Sequence, residues 1–455
     1  MNADNCVLCK CNTCINANNY ALCKCNTCTI NTIIYCKSHI KNMAEMEKLV
    51  EREVYTTQLK GFIDKPLIKV ITGVRRCGKS GILNLIKQEI MKTVDEDHII
   101  FINFEDSDFD NIVSYKDLNQ YIKEKMKDDK RYYIFLDEIQ EVTGWEKAVN
   151  SLRLKNTDIY ITGSNSKLLS GELATLLAGR YVSFEARTLS FKEFINFRKE
   201  FGLDEGIQYG RYGLLDEYIR SGGFPLLSSI RFTDEQARQV ISDIQSAVVL
   251  KDVIERNKIK NAPLLEKIVS FLYDNVGFFI SDRKIADYIK SGGGGVDYET
   301  ISSYIGHLEK ALLIKRVSKY DVKGKRLLDS NDKYYLADHS LQYAVRDMKT
   351  TNRSGVLENI VHNDLVRRGY KVYVGKMGTK EIDFVAEKIN GGEKVYVQVC
   401  AELKSAETIE REFSPLEDIQ DHYPKYVVTT DTFWNEDRNG VRGIHLHDFL
   451  LREKL

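Results

Sequence analysis

The residues Gly73-Val74-Arg75-Arg76-Cys77-Gly78-Lys79-Ser80 fit the pattern G-x-x-x-x-G-K-[ST] at every fixed position. Such a loop suits a phosphate group. Its glycines let the backbone wrap close to the anion, and backbone N–H groups and the N-terminus of the next helix point at it. Lys79 would reach the β and γ phosphates of ATP and Ser80 would coordinate Mg²⁺. The cradle would run through Gly73, Val74, Arg75, Arg76, Cys77, Gly78, Lys79, Ser80 and Gly81. Downstream, Ile134-Phe135-Leu136-Asp137-Glu138 is an apolar run that ends in two carboxylates. Asp137 would hold Mg²⁺ through water, and Glu138 would orient or deprotonate the attacking water. Acidic pairs also begin helices, but Asp followed by Glu, downstream of a phosphate loop, favours hydrolysis over nucleotide sensing.

Thr162-Gly163-Ser164-Asn165 closes another apolar run, where a polar side chain can touch both the γ phosphate and the water. Asn165 is the candidate there, while Ser164 serves equally well as a helix cap. Arg180, after Gly179, is suited to stabilising charge on the phosphoryl group of a neighbouring subunit, which would require a homo-oligomer. The alternative is an ordinary surface arginine.

Short apolar runs alternating with amphipathic stretches must position these groups, the pattern of an α/β fold with a parallel sheet. Strands are predicted at 67–72, 99–104, 132–136, 159–162 and 181–185, with helices at 79–91 and 118–126. From Phe191 the signal is helical until the breaker Ser221-Gly222-Gly223-Phe224-Pro225. Helices at 264–272, 280–289 and 298–311, then strands at 313–317 and 333–336, suggest a winged helix. A helix at 357–367 and strands at 371–374, 381–387 and 394–399 form a further α/β module. The division is 1–45 cysteine-rich, 46–195 core, 196–262 helical lid, 263–346 winged helix, and 347–455 the last module.

Lys plus Arg and Asp plus Glu both number 66, so no overall field draws the chain to nucleic acid or anionic lipid. No apolar run approaches the roughly 20 residues that span a bilayer, and no signal-peptide h-region is present, so no membrane partner and a cytoplasmic location are expected. Of the ten cysteines, all but Cys77 and Cys400 precede Lys37, and Leu8-Cys9-Lys10-Cys11-Asn12-Thr13-Cys14 recurs from Leu22 to Cys28. Zinc ligation and disulfides are two readings. A start at Met43 or Met46 is the third and favoured one, because a perfect short repeat has no obvious core and C-x-C pairs are crowded for zinc.

The loop Gly73 to Ser80, the run Ile134 to Gln140, Ile161-Thr162-Gly163-Ser164-Asn165, Leu177-Ala178-Gly179-Arg180 and Ser221-Gly222-Gly223-Phe224-Pro225 stand in one order. In that order they resemble the AAA-type ATPases of prokaryotes that carry a C-terminal domain of unknown function. The resemblance spans about Met46 to Leu455. It implies an AAA+ P-loop core with a helical lid, the Gly-Gly-Phe-Pro turn near the nucleotide, then a winged helix and a restriction-endonuclease-like module.

That last module resembles the PD-(D/E)xK nuclease fold, in which a helix Glu, a strand Asp and a Glu or Gln two residues before a Lys gather Mg²⁺. Glu358, Asp383 and Gln398 take those places, with Glu381 an alternative acid, but Cys400 stands where the Lys belongs. A thiol supplies no cation, so the site reads as decayed, with Lys404 a candidate substitute, and a docking platform is expected in place of a nuclease. Lys315, Arg316, Lys319, Lys323, Lys325 and Arg326 mark the predicted hairpin. They would lie along a DNA backbone, or simply keep a sheet edge from aggregating. The expected function is ATP hydrolysis coupled to a DNA-contacting or docking C-terminus. The rivals are an ATP-gated nuclease and a signalling or defence scaffold that binds a protein partner.

Overall fold

The computed structural model describes residues 14–17, 20–23, 48–163, 176–204, 211–291, 295–345, 352–432, 434 and 436–455. The chain falls into two compact units, Met1–Val50 and Glu51–Leu455. In the first, strands Cys14–Ala17 and Tyr20–Cys23 pair antiparallel; most of the cysteine-rich segment lies outside the described residues.

The second unit opens with α1 (Glu53–Lys60), β1 (Ile68–Gly73), α2 (Lys79–Met91), β2 (Ile99–Asn103), α3 (Tyr115–Lys125), β3 (Tyr132–Asp137), α4 (Trp145–Leu152), β4 (Thr157–Gly163) and β5 (Tyr181–Ala186). The five strands are parallel, in the order β2-β3-β4-β1-β5. Successive side chains alternate between faces. Ile68, Val70, Ile134, Leu136, Ile159 and Ile161 pack with Leu118, Ala148 and Val149 of α3 and α4. Ile71, Phe135 and Tyr160 point to the other side, where α2 buries Ile82, Leu83, Ile86 and Ile90, a spacing that keeps one helical face on the sheet. The central strands read as continuous apolar runs because both faces are covered.

The segment predicted as a lid is helical: α5 (Phe191–Glu200), α6 (Gly213–Ser221), α7 (Pro225–Ser229) and α8 (Asp234–Ala247), which runs into a π-helical stretch, Val248–Glu255. α9 (Ala262–Asp274), α10 (Asp282–Ser291) and α11 (Tyr298–Lys310) precede an antiparallel hairpin, β6 (Ile314–Asp321) and β7 (Arg326–Leu336). Then come α12 (Arg353–Arg367), β8 (Tyr370–Met377), β9 (Lys380–Lys388), β10 (Lys394–Cys400), α13 (Ala406–Glu417), β11 (Lys425–Thr429), β12 (Asp437–Arg438), β13 (Val441–His445) and α14 (Leu446–Leu451).

The eight strands from β6 onward share one sheet, in the order β12-β13-β11-β10-β9-β8-β6-β7. Strand β6 pairs with β7 on one side and in parallel with β8 on the other. The boundary expected at residue 346 is therefore bridged by backbone hydrogen bonds, and the hairpin is part of the last module's sheet. Pairing between strands remote in sequence leaves no mark on either strand alone.

Candidate functional site

At the end of β1 the chain presses against β5. A Cβ on Gly73 would lie 2.3 Å from the Ala186 carbonyl oxygen and 2.7 Å from Cys77 Sγ, so only glycine fits. Arg76 and Gly78 take positive φ, 66° and 95°, which turns the loop into α2 and leaves the helix's first N–H groups facing it. The loop is braced from behind by Arg52, which is 2% exposed. Its guanidinium donates to the carbonyls of Cys77 (3.0 Å) and Arg187 (2.9 Å) and pairs with Glu193 at 2.8 Å. Burial pushes the Glu193 carboxyl up, but Arg52 outweighs burial and holds it below the usual carboxylate range. Burial also raises the Cys77 thiol, which keeps it an apolar filler in the loop.

Lys79, 4% exposed, places Nζ 3.3 Å from Glu138 Oε1 and 3.4 Å from the Gly73 carbonyl oxygen. Asp137 is buried at the end of β3, and its carboxylate accepts from the hydroxyls of Thr162 and Ser80. Burial raises its pKa; those two hydrogen bonds work against the rise. Glu138 sits in the left-handed region, φ 53° and ψ 46°, which turns its side chain back toward Lys79. Its N–H donates to Thr162 Oγ1 at 3.0 Å and Gln140 Nε2 donates to its carboxylate at 2.5 Å. Burial would raise the Glu138 carboxyl, but Lys79, Gln140 and Arg75 bring it below its ordinary value, so it is an anion facing a cation.

Thr162 thus ties the two acids together, whereas sequence reasoning looked to Asn165, three residues on, as a contact for the γ phosphate and water. Ser164 and Asn165 lie outside the described residues. Arg180 is exposed, bonded to Asn150 Oδ1 (3.2 Å) and the Leu176 carbonyl (3.1 Å), at the start of β5. The loop lies at the other end of the sheet, about 15–20 Å away at 3.3 Å per residue. The structure does not bring Arg180 to the phosphate loop of its own chain.

Two later elements reach the loop. Arg75 contacts Glu105 at 3.4 Å and Asp252 of the π-helical stretch at 3.7 Å. The Pro225 ring would stand 3.3 Å from a Cβ on Gly78. Behind Pro225, the Gly223 N–H donates to Asp338 Oδ2 at 2.9 Å, just after β7, and a Cβ on Gly222 would overlap Asp338 and Ser340. The breaker in the sequence is a tight turn packed against Asp338, Ser340 and Leu189.

A second polar centre lies in the large sheet. Glu358 from α12, Glu381 and Asp383 from β9 and Gln398 from β10 lie together. Cys400 is buried, its thiol pushed up to about 12 by burial and by Glu412. Lys404 does not reach the centre: its side chain is 74% exposed and pairs with Glu402. Lys333 of β7 does. It is 3% exposed, with Nζ 2.6 Å from Glu381, 3.3 Å from Glu358 and 3.6 Å from Asp383. Tyr335, two residues on and facing the same way, donates to Glu358 at 2.9 Å. Burial and mutual repulsion raise the pKa of Glu358; burial raises that of Asp383, against the pull of Lys333. Burial alone would lower the Lys333 ammonium, but the three carboxylates raise it above its ordinary value. The signal that could have found Lys333 is its place on an apolar strand, in alternation with buried Tyr335.

A phosphate loop between a buried parallel strand and a helix, an acidic strand end beside it, and the strand order β2-β3-β4-β1-β5 define a P-loop nucleotide-binding domain. Comparison with known proteins places the class more closely. Residues 65–195 match an AAA domain, and residues 212–352 match a domain of unknown function. An uncharacterized protein of Haemophilus influenzae is 38% identical over 408 residues, covering 89% of this chain and 99% of that one. Another from Methanocaldococcus jannaschii is 33% identical over 385 residues, 82% of each. The chain belongs to the family of these two proteins, and it carries an AAA domain. A Walker-type ATPase of Pyrococcus abyssi is a more distant structural neighbour, with TM-score 0.45 and 15% identity over 66% of this chain and 97% of that one. Among the described residues no helix is long and apolar enough to cross a membrane.

Proposed function

We propose that the chain is an ATP-driven switch whose phosphate loop and lid act on the large C-terminal sheet. The observation that carries the reading is the contact between Lys79 and Glu138 at 3.3 Å. The lysine that would bind phosphate stands beside the carboxylate that would hold water. A γ phosphate is the better partner for Lys79, because its charge also meets the loop N–H groups and the α2 N-terminus. Its arrival frees Glu138, which Gln140 keeps aimed at the site, to accept a proton from water.

Hard oxygen donors suit Mg²⁺, and the Ser80 hydroxyl and the buried Asp137 carboxylate, already hydrogen-bonded to each other, fit it. Mg²⁺ bound there would neutralise charge on the β and γ phosphate oxygens. Arg75 and the π-helical Asp252 would register that the site is filled. Movement at Gly78 would pass through Pro225 and the Gly222-Gly223 turn to Asp338 and so to β7. Arg180, far from its own loop, would act only on a neighbouring subunit. The expected result for Glu138→Gln is retained ATP binding with hydrolysis slowed by about 10²-fold or more. Turnover at the wild-type rate would remove Glu138 from the mechanism.

A second reading concerns DNA. The three helices α9 to α11 with the β6–β7 hairpin have the element order of a winged helix, and Lys315, Lys323, Lys325 and Arg326 are exposed along it. They would follow a phosphate backbone without reading sequence. Salt-dependent binding of the full chain to duplex DNA tests this. A chain that binds a protein partner and ignores DNA would answer to the scaffold reading.

A further inference from the structure

Among α5, α6 and α7, beside the start of α8, lies a cleft of about 280 Å³. Leu227 and Ala237, both buried, give it an apolar floor. Three arginines line it: Arg198 from α5, Arg220 from α6 and Arg231 from the segment that leads into α8. Arg198 is the buried member, 3% exposed, with its guanidinium 5.2 Å from the Phe194 ring centroid. A guanidinium brings five N–H donors. Here Nη2 pairs with Glu217, Nη1 reaches the Ile230 carbonyl only at 3.4 Å, and Nε is buried with no acceptor among the described residues. Buried donors without acceptors are rare, because the water they gave up has not been replaced. Burial lowers the Arg198 pKa; Glu217 does not offset the fall, and repulsion from Arg231 adds to it.

The lining sets three guanidiniums against two carboxylates, Glu217 and Asp234, and Glu217 is already taken up by Arg198. An oxyanion between Arg198 and Arg231 would meet the surplus charge and turn their repulsion into shared attraction. The space is that of about nine waters at ~30 Å³ each, which is the scale of a small metabolite. The cleft's place in the fold matters as much as its charge. Ser221, on its wall, opens the turn Ser221-Gly222-Gly223-Phe224-Pro225, and Leu227 follows that turn. The same turn meets Gly78 of the phosphate loop through Pro225, and Asp338 through Gly223. The described lining includes no residue of the phosphate loop itself.

We propose that this cleft binds a small oxyanionic molecule, carrying a phosphate or paired carboxylates, and that its occupancy sets the affinity of the phosphate loop for ATP through the Ser221–Pro225 turn. The binding stands on the cleft alone; the coupling rests on the ATP reading above. Arg198 holds the anion from within, and Arg220 and Arg231, both exposed, close on it from the mouth. Leu227 and Ala237 face its carbon part. An anion drawn in between α5 and the segment before α8 shifts Ser221 and Leu227, and with them the turn whose proline lies on Gly78.

The test is calorimetric titration of the full chain with inorganic phosphate and with succinate, the phosphate loop being filled by Mg²⁺ and a non-hydrolysable ATP analogue. Binding of at least one of the two is expected, and the tighter one tells a phosphoryl ligand from a dicarboxylate. Arg198→Met, and separately the double variant Arg220→Met with Arg231→Met, should each weaken it about tenfold or more. Circular dichroism checks each fold, and the double variant, with both arginines exposed, keeps the test open if Arg198→Met does not fold. Adding the anion should shift analogue affinity about fivefold or more in the wild type and not in the double variant. Competition at the loop itself would persist in that variant and is thereby told apart. In Lys79→Met the anion should still bind, so a failure of the ATP reading leaves the cleft testable. The proposal is overturned if neither anion binds, or if the double variant binds as tightly as the wild type. It is also overturned if the analogue abolishes binding, since the cleft would then belong to the nucleotide's own seat. A bound anion that leaves analogue affinity unchanged overturns the coupling.

Discussion

Lys79 and Lys333 are both buried, and both touch a glutamate at 3.3 Å, yet their surroundings have opposite sign. Lys79 meets one carboxylate amid backbone N–H groups and a helix N-terminus, so removing Glu138 leaves a hole for an anion. Lys333 meets three carboxylates and fills the space between them, closing a buried polar network. The same side chain thus stands in two kinds of setting, one beside a loop built for an anion and one inside a network of carboxylates.

The largest effect that would break this comparison is on nucleotide. Lys79→Met should weaken ATP binding on the order of 100-fold, measured with a fluorescent analogue, because the charge-assisted hydrogen bond to phosphate is removed. Unchanged affinity would mean that the anion site is built without Lys79. Next is stability. Lys333→Met strands several buried carboxylates and should cost about 3–5 kcal/mol in urea unfolding. Lys79→Met strands only Glu138, which keeps its hydrogen bond from Gln140, and should cost clearly less.

A third test varies pH. Glu193 has its folded pKa below its unfolded value, so its pairing with Arg52 stabilises the fold above about pH 4.5 and is lost as pH falls through the folded value. Arg52→Met should therefore be destabilised at pH 7 and show a shallower further loss between pH 5 and 3, by chemical unfolding at each pH. A parallel loss in both proteins would separate Arg52 from the bracing of the loop. The smallest effect belongs to the hairpin. Lys323→Ala with Lys325→Ala should lower the salt slope of DNA binding by about one for each phosphate that a lysine no longer neutralises.

What could be read from the sequence depends on the reach of the interactions. Gly73 to Ser80 and the pair Asp137-Glu138 are contiguous, so their chemistry lies along the chain, and α2 fell within its predicted bounds. Arg52 was invisible because Glu193 is 141 residues away. Cys400 looked like a loss because the nuclease-like pattern is read along one strand, whereas Lys333 comes from β7 and reaches the same carboxylates across the sheet. The hairpin was placed, but not its pairing with β8. Each of its strands fits an antiparallel pair, and only the fold supplies the parallel partner.

That pairing governs how this protein can be divided by experiment or by recombination. Cutting the chain near residue 346 would leave β8 without the neighbour it has in β6, an open edge on which other chains could assemble. It would also part Lys333 from Asp383. A domain swap that keeps α9 to α11 with the hairpin but exchanges α12 and the strands beyond it would inherit half a sheet. The heritable unit is the hairpin together with the module behind it, and chimeras should be joined ahead of β6.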